Sequence, residues 1–151
     1  MKVAVSACLL GVRCRFDGRS KPSAEVQRFL EGHECQVVKI CPEVMGGLPI
    51  PHPPHEQRVL DGQVRVVDAE GNDHTEAFEA GARAACSLVC DSGCTHAILK
   101  AKSPSCGVGE VYDGTFSDAL VPGDGVATKM LKEAGVVVAT EKNFRERFGC
   151  E

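Results

Sequence analysis

Short apolar runs alternate along the chain with longer stretches in which apolar residues recur every three or four positions. The short runs predict buried strands over 2–6 (KVAVS), 35–40 (CQVVKI), 95–99 (THAIL) and 136–139 (VVVA). The longer spacing predicts amphipathic helices over 22–31, 74–89, 123–134 and 141–148. Asp61 and Gly62 stand between apolar residues, which predicts a β-hairpin over 58–67.

Strands that alternate with helices predict an α/β fold. We expect a three-layer, Rossmann-like domain with a mainly parallel sheet, helices on both faces and one small hairpin. With 151 residues the chain has the length of one domain, so residues 1–151 are predicted to fold as a single unit. The Pro-rich stretch 48–54 (LPIPHPP) predicts an extended loop within that unit.

The composition limits the kinds of partner that the protein is expected to bind. A net charge of -4 and an aromatic content of 5% without tryptophan argue against a general nucleic-acid surface, so large RNA is not the expected partner. No apolar run approaches the roughly 20 residues that cross a bilayer, and the first residues do not resemble a signal peptide. These features predict a cytoplasmic protein without a membrane partner.

Cysteine is the residue type that suggests chemistry. The chain has nine, an odd number, and a reducing compartment disfavours disulfides. Cys8 follows the first predicted strand, Cys41 follows the second, and Cys106 lies several residues beyond the third. Because the carboxyl ends of parallel strands emerge at one edge of a sheet, these three thiols should converge on one crevice.

Three converging thiolates suggest two kinds of metal site. Zinc takes four ligands, or three and a water, and an iron–sulfur cluster usually takes four cysteines. Cys14 is a possible fourth ligand, and the basic residues Arg13, Arg15 and Lys102 are expected to favour thiolates. The spacing does not decide between zinc and a cluster, and inert buried cysteines are the plain alternative.

Other polar positions carry weaker signals. Cys86, Cys90 and Cys94 recur every four residues, the spacing of one stripe of a helix, and two of them lie within or at the end of the predicted helix 74–89, which favours core packing over a metal stripe. His52 and His55 flank the Pro-rich loop, where the lack of a partner carboxylate favours loop or substrate contacts over metal ligation.

Four long motifs resemble those of the thiouracil desulfurase (TudS-like) family, and the resemblance runs over essentially the whole chain. They are SACLLGVRCRFDG at 6–18, CPEVMGGLPIPHPP at 41–54, AILKAKSPSCG at 97–107, and VYDGTF with GDGVAT between 111 and 128. The resemblance implies a [4Fe-4S] cluster on Cys8, Cys41 and Cys106, with one iron free to take the sulfur of a thiolated pyrimidine. Water would then break the carbon–sulfur bond without net electron transfer. Cys14 is either a ligand in place of one of these three or an accessory thiol.

The resemblance also assigns roles around the cluster. It implies that Glu43 is the catalytic acid/base and that Ser103 handles a proton or orients the substrate. On the residues alone, a surface carboxylate and a turn serine would be favoured. The substrate, a thiolated nucleobase or nucleotide, is expected to contact Gly46, Gly47, His52 and Lys102. Family members commonly carry Arg at the position of His52. This chain therefore departs from the family pattern on the side of the site that would bind an anionic part of the substrate.

The sequence is therefore compatible with three classes of function. The first is a cluster-dependent desulfurase. The second is a sensing or structural module in which zinc or a cluster is bound and no reaction occurs. The third is a cysteine-nucleophile enzyme in which Cys106 attacks a substrate near Lys102.

Overall fold

A parallel sheet of four strands forms the centre of the structure, a computed structural model that describes residues 1–149. The strands are β1 (Lys2–Ser6), β2 (Gln36–Ile40), β3 (His55–Leu60), β4 (Gln63–Asp68), β5 (His96–Leu99), β6 (Glu110–Tyr112), β7 (Leu120–Pro122) and β8 (Val137–Thr140). The parallel sheet has the order β2-β1-β5-β8, and two antiparallel hairpins, β3–β4 and β6–β7, lie beside it. The helices are α1 (Ala24–Gly32), α2 (Pro42–Met45), α3 (Thr75–Asp91), α4 (Val126–Glu133) and α5 (Phe144–Phe148), and a 3₁₀ turn covers Ala7–Leu10.

Helices cover both faces of the sheet, as the sequence predicts. Side chains alternate along a strand, so β1 sends Val3 and Val5 to one face and Ala4 to the other. The first face packs against α1 and α5 through Val26, Phe29 and Phe144. The second packs against α3 and α4 through Ala85, Val89 and Leu131. The three-layer α/β prediction is confirmed.

The strand order creates a crevice at one edge of the sheet. From β1 the chain first adds β2 on one side, and later adds β5 on the other side of β1. Such a reversal leaves the carboxyl ends of two neighbouring strands uncovered by their connections, and open α/β sheets bind their ligands there. Residues that directly follow β1, β2 and β5 therefore share one edge.

Element boundaries differ from the predictions where side chains reorganise the backbone. Helix α4 begins at Val126 instead of 123, and α5 begins at Phe144 instead of 141. Before α5, the Asn143 side chain accepts a hydrogen bond from the Thr140 backbone N–H at 2.8 Å, which holds 140–143 as a turn. The predicted hairpin is present, and Asp61 (φ 51°) and Gly62 (φ 77°) have the left-handed conformation of a tight turn.

Short elements are the ones that the pattern does not reveal. The hairpin β6–β7 has three residues in each strand, and α2 has four residues, which is too few for a periodicity to be visible. No helix within residues 1–149 combines the length and apolarity needed to cross a bilayer.

Candidate cysteine-lined active site

A cavity of about 480 Å³ opens at the carboxyl ends of β1, β2 and β5. Its wall includes four cysteine residues that come from three separate segments of the chain: Cys8, Cys14, Cys41 and Cys106. Three of them are buried, and Cys41 is half-buried. The structure thus brings together the three cysteines that the sequence predicts to converge, and adds the fourth that it left open.

Cys8, Cys14 and Cys41 form one contiguous group of thiols. The Cys14 thiol interacts with the thiols of both Cys41 and Cys8. The Cys41 thiol also donates to the Cys14 backbone carbonyl oxygen at 3.6 Å. Gly11, with a φ of 92°, ends the 3₁₀ turn after Cys8 and lets the chain return to place Cys14 beside it.

Cys106 faces the same cavity from the turn that follows β5. The Ser103 hydroxyl accepts a hydrogen bond from the Cys106 backbone N–H at 2.7 Å, which fixes the turn. The Cys106 thiol interacts with the hydroxyls of Ser6 and Ser105, and its sulfur lies 3.7 Å from the Ser105 hydroxyl oxygen. Cys106 and Cys41 are close enough that a thiolate at Cys41 would disfavour a thiolate at Cys106.

Three of these thiols, those of Cys14, Cys41 and Cys106, have a raised pKa. Burial raises the pKa of Cys106 to about 12. The hydrogen bond that the Cys41 thiol donates to the Cys14 side chain, together with burial, raises the pKa of Cys41 far above its usual range. For Cys14, the hydrogen bond with Cys41 lowers the pKa, but the hydrogen bond with Cys8 and burial outweigh it and bring it to about 11.

The predicted stabilisation of thiolates by neighbouring basic residues is therefore wrong for the metal-free site, because burial and thiol–thiol contacts dominate. A protonated, buried Cys106 is also poorly suited to act as a free nucleophile. Binding of a metal centre to these side chains must displace their protons. Four soft thiol donors around one cavity have the chemistry that an iron–sulfur cluster or zinc requires.

Glu43 lies in the same cavity wall, two residues after Cys41. Pro42 occupies the first position of α2, and Glu43 is in the first turn. One carboxylate oxygen, Oε2, accepts a hydrogen bond from the Ser105 hydroxyl at 2.8 Å. The other, Oε1, is 3.1 Å from Nε2 of His52. Both oxygens of the carboxylate are thus held in place.

His52 is the cation of this pair. Its Nδ1 is 2.8 Å from the Pro53 carbonyl oxygen, and its Nε2 faces the Glu43 carboxylate. A carboxylate and a carbonyl oxygen both accept hydrogen bonds, so these two contacts favour the imidazolium form of His52. The hydrogen bond to Glu43 raises the pKa of His52, although burial opposes it.

The remaining predicted residues occupy different places. Lys102 and Ser103 line the cavity, whereas Gly46, Gly47 and His52 are not among the described residues that do. At Gly46 a Cβ atom would overlap the Ala77 carbonyl oxygen of α3, so close packing of α2 on α3 accounts for this glycine without a ligand. The predicted substrate contacts of Gly46 and Gly47 find no support in the cavity lining.

Two groups of cavity residues escaped the sequence analysis. Ser105 is the direct partner of Glu43, and its hydroxyl lies 3.1 Å from that of Ser103, so the two serines form a chain to the carboxylate. Its presence in the SPSCG motif was the available signal. The second group consists of the ring side chains that line the cavity, and no spacing marks them: Phe16, Tyr112 and Phe116.

Taken together, the topology and the cavity define a Rossmann-like α/β protein with a thiol-rich pocket at the switch in strand order, suited to a soft metal centre. The 2-thiouracil desulfurase family matches residues 3–143, and the chain belongs to this family. The family predicted from the sequence motifs, one of enzymes that remove sulfur from carbon, is confirmed.

Two relatives extend this assignment. The chain is 39% identical to the solved structure of the [4Fe-4S]-dependent thiouracil desulfidase TudS, with a TM-score of 0.86, covering 97% of this chain and 95% of that chain. It is also 35% identical over 150 residues to the uncharacterized protein YbbK of Bacillus subtilis (strain 168), covering 95% of this chain and 98% of the relative.

Proposed function

We propose that this chain is a [4Fe-4S]-dependent desulfidase that removes sulfur from thiouracil or a related thiolated pyrimidine, as free base or nucleotide, by hydrolysis without net electron transfer. The observation that carries this proposal is the meeting of four cysteines and one oriented carboxylate around a single cavity. The similarity to a [4Fe-4S]-dependent thiouracil desulfidase supports the cofactor and the substrate class.

Cys8, Cys41 and Cys106 would hold the cluster, with Cys14 as an accessory thiol. The three proposed ligands follow three different strands and approach the cavity from three directions, whereas Cys14 follows Cys8 within one loop and already contacts Cys8 and Cys41. When bound through three cysteines, the cluster supplies one iron position, a soft Lewis acid, for the sulfur of a thiocarbonyl group.

Glu43 is the proposed general base. Its carboxylate is fixed by His52 and Ser105, and the His52 imidazolium balances its charge. The Ser105 hydroxyl can turn from Glu43 towards Ser103, 3.1 Å away, which leaves Oε2 free to accept a proton from water. Ser103 thus acts through Ser105, and it also anchors the turn that carries Cys106.

The reaction balances without an electron donor. The oxygen of water bonds to the ring carbon while Glu43 takes one of its protons. As the carbon–sulfur bond breaks, that oxygen loses its second proton and becomes the carbonyl of the pyrimidine, and the sulfur leaves as hydrogen sulfide with both protons. The cavity volume of about 480 Å³ lies in the range of small-molecule sites. Its aromatic side chains offer apolar surface to a pyrimidine, and three basic side chains also line it: Arg15, Lys100 and Lys102.

The test of the base is Glu43→Gln in protein reconstituted under anaerobic conditions. We expect the variant to keep its iron and sulfide, while sulfide release from 2-thiouracil falls by about 10²- to 10⁴-fold. Glu110→Gln, at an exposed carboxylate outside the cavity, is the matched control and should work at the normal rate. A Glu43→Gln variant with a full cluster and an unchanged rate would refute the role of Glu43.

A second candidate rests on the fourth thiol. With Cys14 the cavity offers four sulfur donors, which is also the donor set of a structural zinc site in a module without catalysis. A colourless protein that holds zinc and releases no sulfide after reconstitution with iron would favour this candidate.

A further inference from the structure

Three side chains with metal-binding atoms meet where the hairpin β3–β4 adjoins the start of α3. They are His55, Asp68 and His74, and one donor atom of each lies within 4.8 Å of the others. This group is separate from the four thiols, although His55 also lines the edge of the cavity. Neither Asp68 nor His74 has a part in the proposed reaction.

The fold brings these residues together through strand register. His55 and Asp68 are direct partners in the antiparallel pair β3–β4, so their side chains project from the same face of the hairpin. His74 immediately precedes α3, and its backbone N–H donates to the Val66 carbonyl oxygen at 2.9 Å, which fixes it beside β4. No carboxylate partner for His55 is evident from the sequence, and it is the register of the two strands that places Asp68 beside it.

The geometry of the two rings suits a shared ion. Nε2 of His55 and Nδ1 of His74 are 2.8 Å apart. Two ligand nitrogens at about 2.1 Å from one ion lie roughly 3.0–3.4 Å apart in octahedral or tetrahedral geometry. A small separation of the rings would therefore let an ion replace the proton that the two nitrogens share without it.

Both buried members of the group keep capacity for a ligand. His55 is 6% exposed, and its Nδ1 has no hydrogen-bond partner among residues 1–149. Its Nε2 faces Nδ1 of His74.

Asp68 is 5% exposed, and its carboxylate accepts three hydrogen bonds. Oδ1 accepts from the backbone N–H groups of Glu70 and Asn72, and Oδ2 accepts from the Asn72 amide. A carboxylate has about four lone-pair sites, so one remains on Oδ2. Ligating carboxylates are commonly held by such outer hydrogen bonds.

We propose that His55, Asp68 and His74 form a binding site for a divalent transition-metal ion of the zinc type. Two imidazoles and one carboxylate leave a coordination position for water, the composition found in three-ligand zinc sites. The bound ion joins β3, β4 and the start of α3, and it fixes the His55 ring, whose centroid is 5.3 Å from that of His52. The proposal does not depend on the cluster or on the reaction.

The test is zinc binding to the cluster-loaded protein, measured by anaerobic calorimetry after chelator washing. We expect one equivalent of zinc in the wild type and binding weakened by more than about tenfold in His74→Gln, since loss of even an outer-shell partner costs 10- to 100-fold. Zinc taken up by cysteines would be the same in both proteins, so the difference isolates this site. The matched control is His33→Gln, at an exposed histidine outside the group.

Thermal unfolding gives a readout independent of activity. With free zinc at about 100 times its dissociation constant, the wild-type midpoint should rise by about 5–10 °C, and the midpoint of His74→Gln should not rise. If His74→Gln loses its native circular dichroism spectrum, Asp68→Asn, which keeps the shape of the side chain, replaces it as the test variant. The proposal is overturned if the wild type binds zinc no more tightly than the folded variant, or if His33→Gln loses binding to the same extent.

Discussion

Two groups of cysteines in this protein, one of four and one of three, differ in origin. One group comes from segments that follow different strands and lines one cavity: Cys8, Cys14, Cys41 and Cys106. The other group recurs every four residues and lies outside the cavity lining, with Cys86 and Cys90 in α3 and Cys94 three residues beyond its end. The second group can be recognised in the sequence by its regular spacing, whereas the first group is brought together only by the topology of the fold.

The second group shows what helical spacing alone achieves. The Cys86 and Cys90 sulfurs are 4.0 Å apart, Cys90 is exposed, and Cys94 packs in the core on the α3 side of the sheet. Neighbouring turns place thiols in a row, and a row cannot surround an ion. Core packing, as predicted, describes Cys94, but not Cys90. Convergence from separate segments is what distinguishes a candidate site from a stripe.

The largest expected effect separates the two groups directly. Cys8→Ser should retain less than about a tenth of the wild-type iron and sulfide after anaerobic reconstitution, because loss of one of three cysteine ligands leaves the cluster without a sufficient donor set. Cys90→Ser, at the exposed member of the helical row, should retain the full amount. If iron analysis and absorbance near 400 nm showed an equal loss of the cluster in both variants, the two groups of cysteines would not differ as cluster ligands.

A second pair of variants tests which cysteines of the cavity group bind the cluster. Cys106→Ser should lose the cluster as Cys8→Ser does, whereas Cys14→Ser should keep most of its iron, because Cys14 is proposed as an accessory thiol. Both cysteines are buried, so the comparison is matched for burial. If Cys14→Ser is the variant that loses iron and Cys106→Ser keeps it, the ligands are Cys8, Cys14 and Cys41.

A smaller effect is expected at the serine that contacts the carboxylate. Ser105→Ala removes the hydrogen bond to Glu43, an interaction with a charged group that stabilises by about 1.5–3 kcal/mol, so kcat should fall by about tenfold or more. KM should not change, because Ser105 orients the base and does not bind the substrate. Ser87→Ala, at an exposed serine of α3, is the control. A change in KM alone would make Ser105 a substrate-binding residue.

The smallest effect concerns pH. The pKa of His52 is raised in the folded protein by its hydrogen bond to Glu43, so the pair stabilises the fold below the ordinary histidine pKa of about 6.5. That stabilisation is lost as the pH rises through the raised folded value. His52→Gln should therefore lower the unfolding temperature more at pH 6 than at pH 9, by an amount that corresponds to about 1 kcal/mol.

The pair Arg65–Asp73 provides a control for that pH dependence. Asp73 accepts a 2.7 Å hydrogen bond from Arg65, which holds the pKa of its carboxyl far below its usual range, so both partners stay charged between pH 6 and 9. Arg65→Gln should lower the unfolding temperature equally at both pH values. A His52→Gln effect that is equal at both pH values, or larger at pH 9, would contradict the imidazolium assignment.

Local pattern predicted the parts of this molecule that are decided locally. β1 has the predicted bounds, and the other long strands and helices differ from theirs by a few residues. The placement of Cys8 and Cys41 after adjacent parallel strands was predictable because all such strands end at one edge. The motifs were long enough to indicate the family.

Features that depend on contacts between distant segments were not predictable in the same way. Ser105 reaches Glu43 across 62 positions, and Asp68 pairs with His55 only through hairpin register. The charge of Arg15 and Lys102 suggested thiolates, but burial of the thiols, which the sequence does not report, determines their protonation. Side-chain chemistry was visible in the sequence, whereas its environment was not.

The most direct test of the central claim counts sulfide and uracil released from 2-thiouracil by the cluster-loaded protein, under anaerobic conditions and with no reductant. Hydrolysis at a cysteine-held cluster predicts many turnovers, with one sulfide for each uracil. Protein that carries its full complement of iron and forms neither product, or that forms them only when a reductant is supplied, would contradict the account.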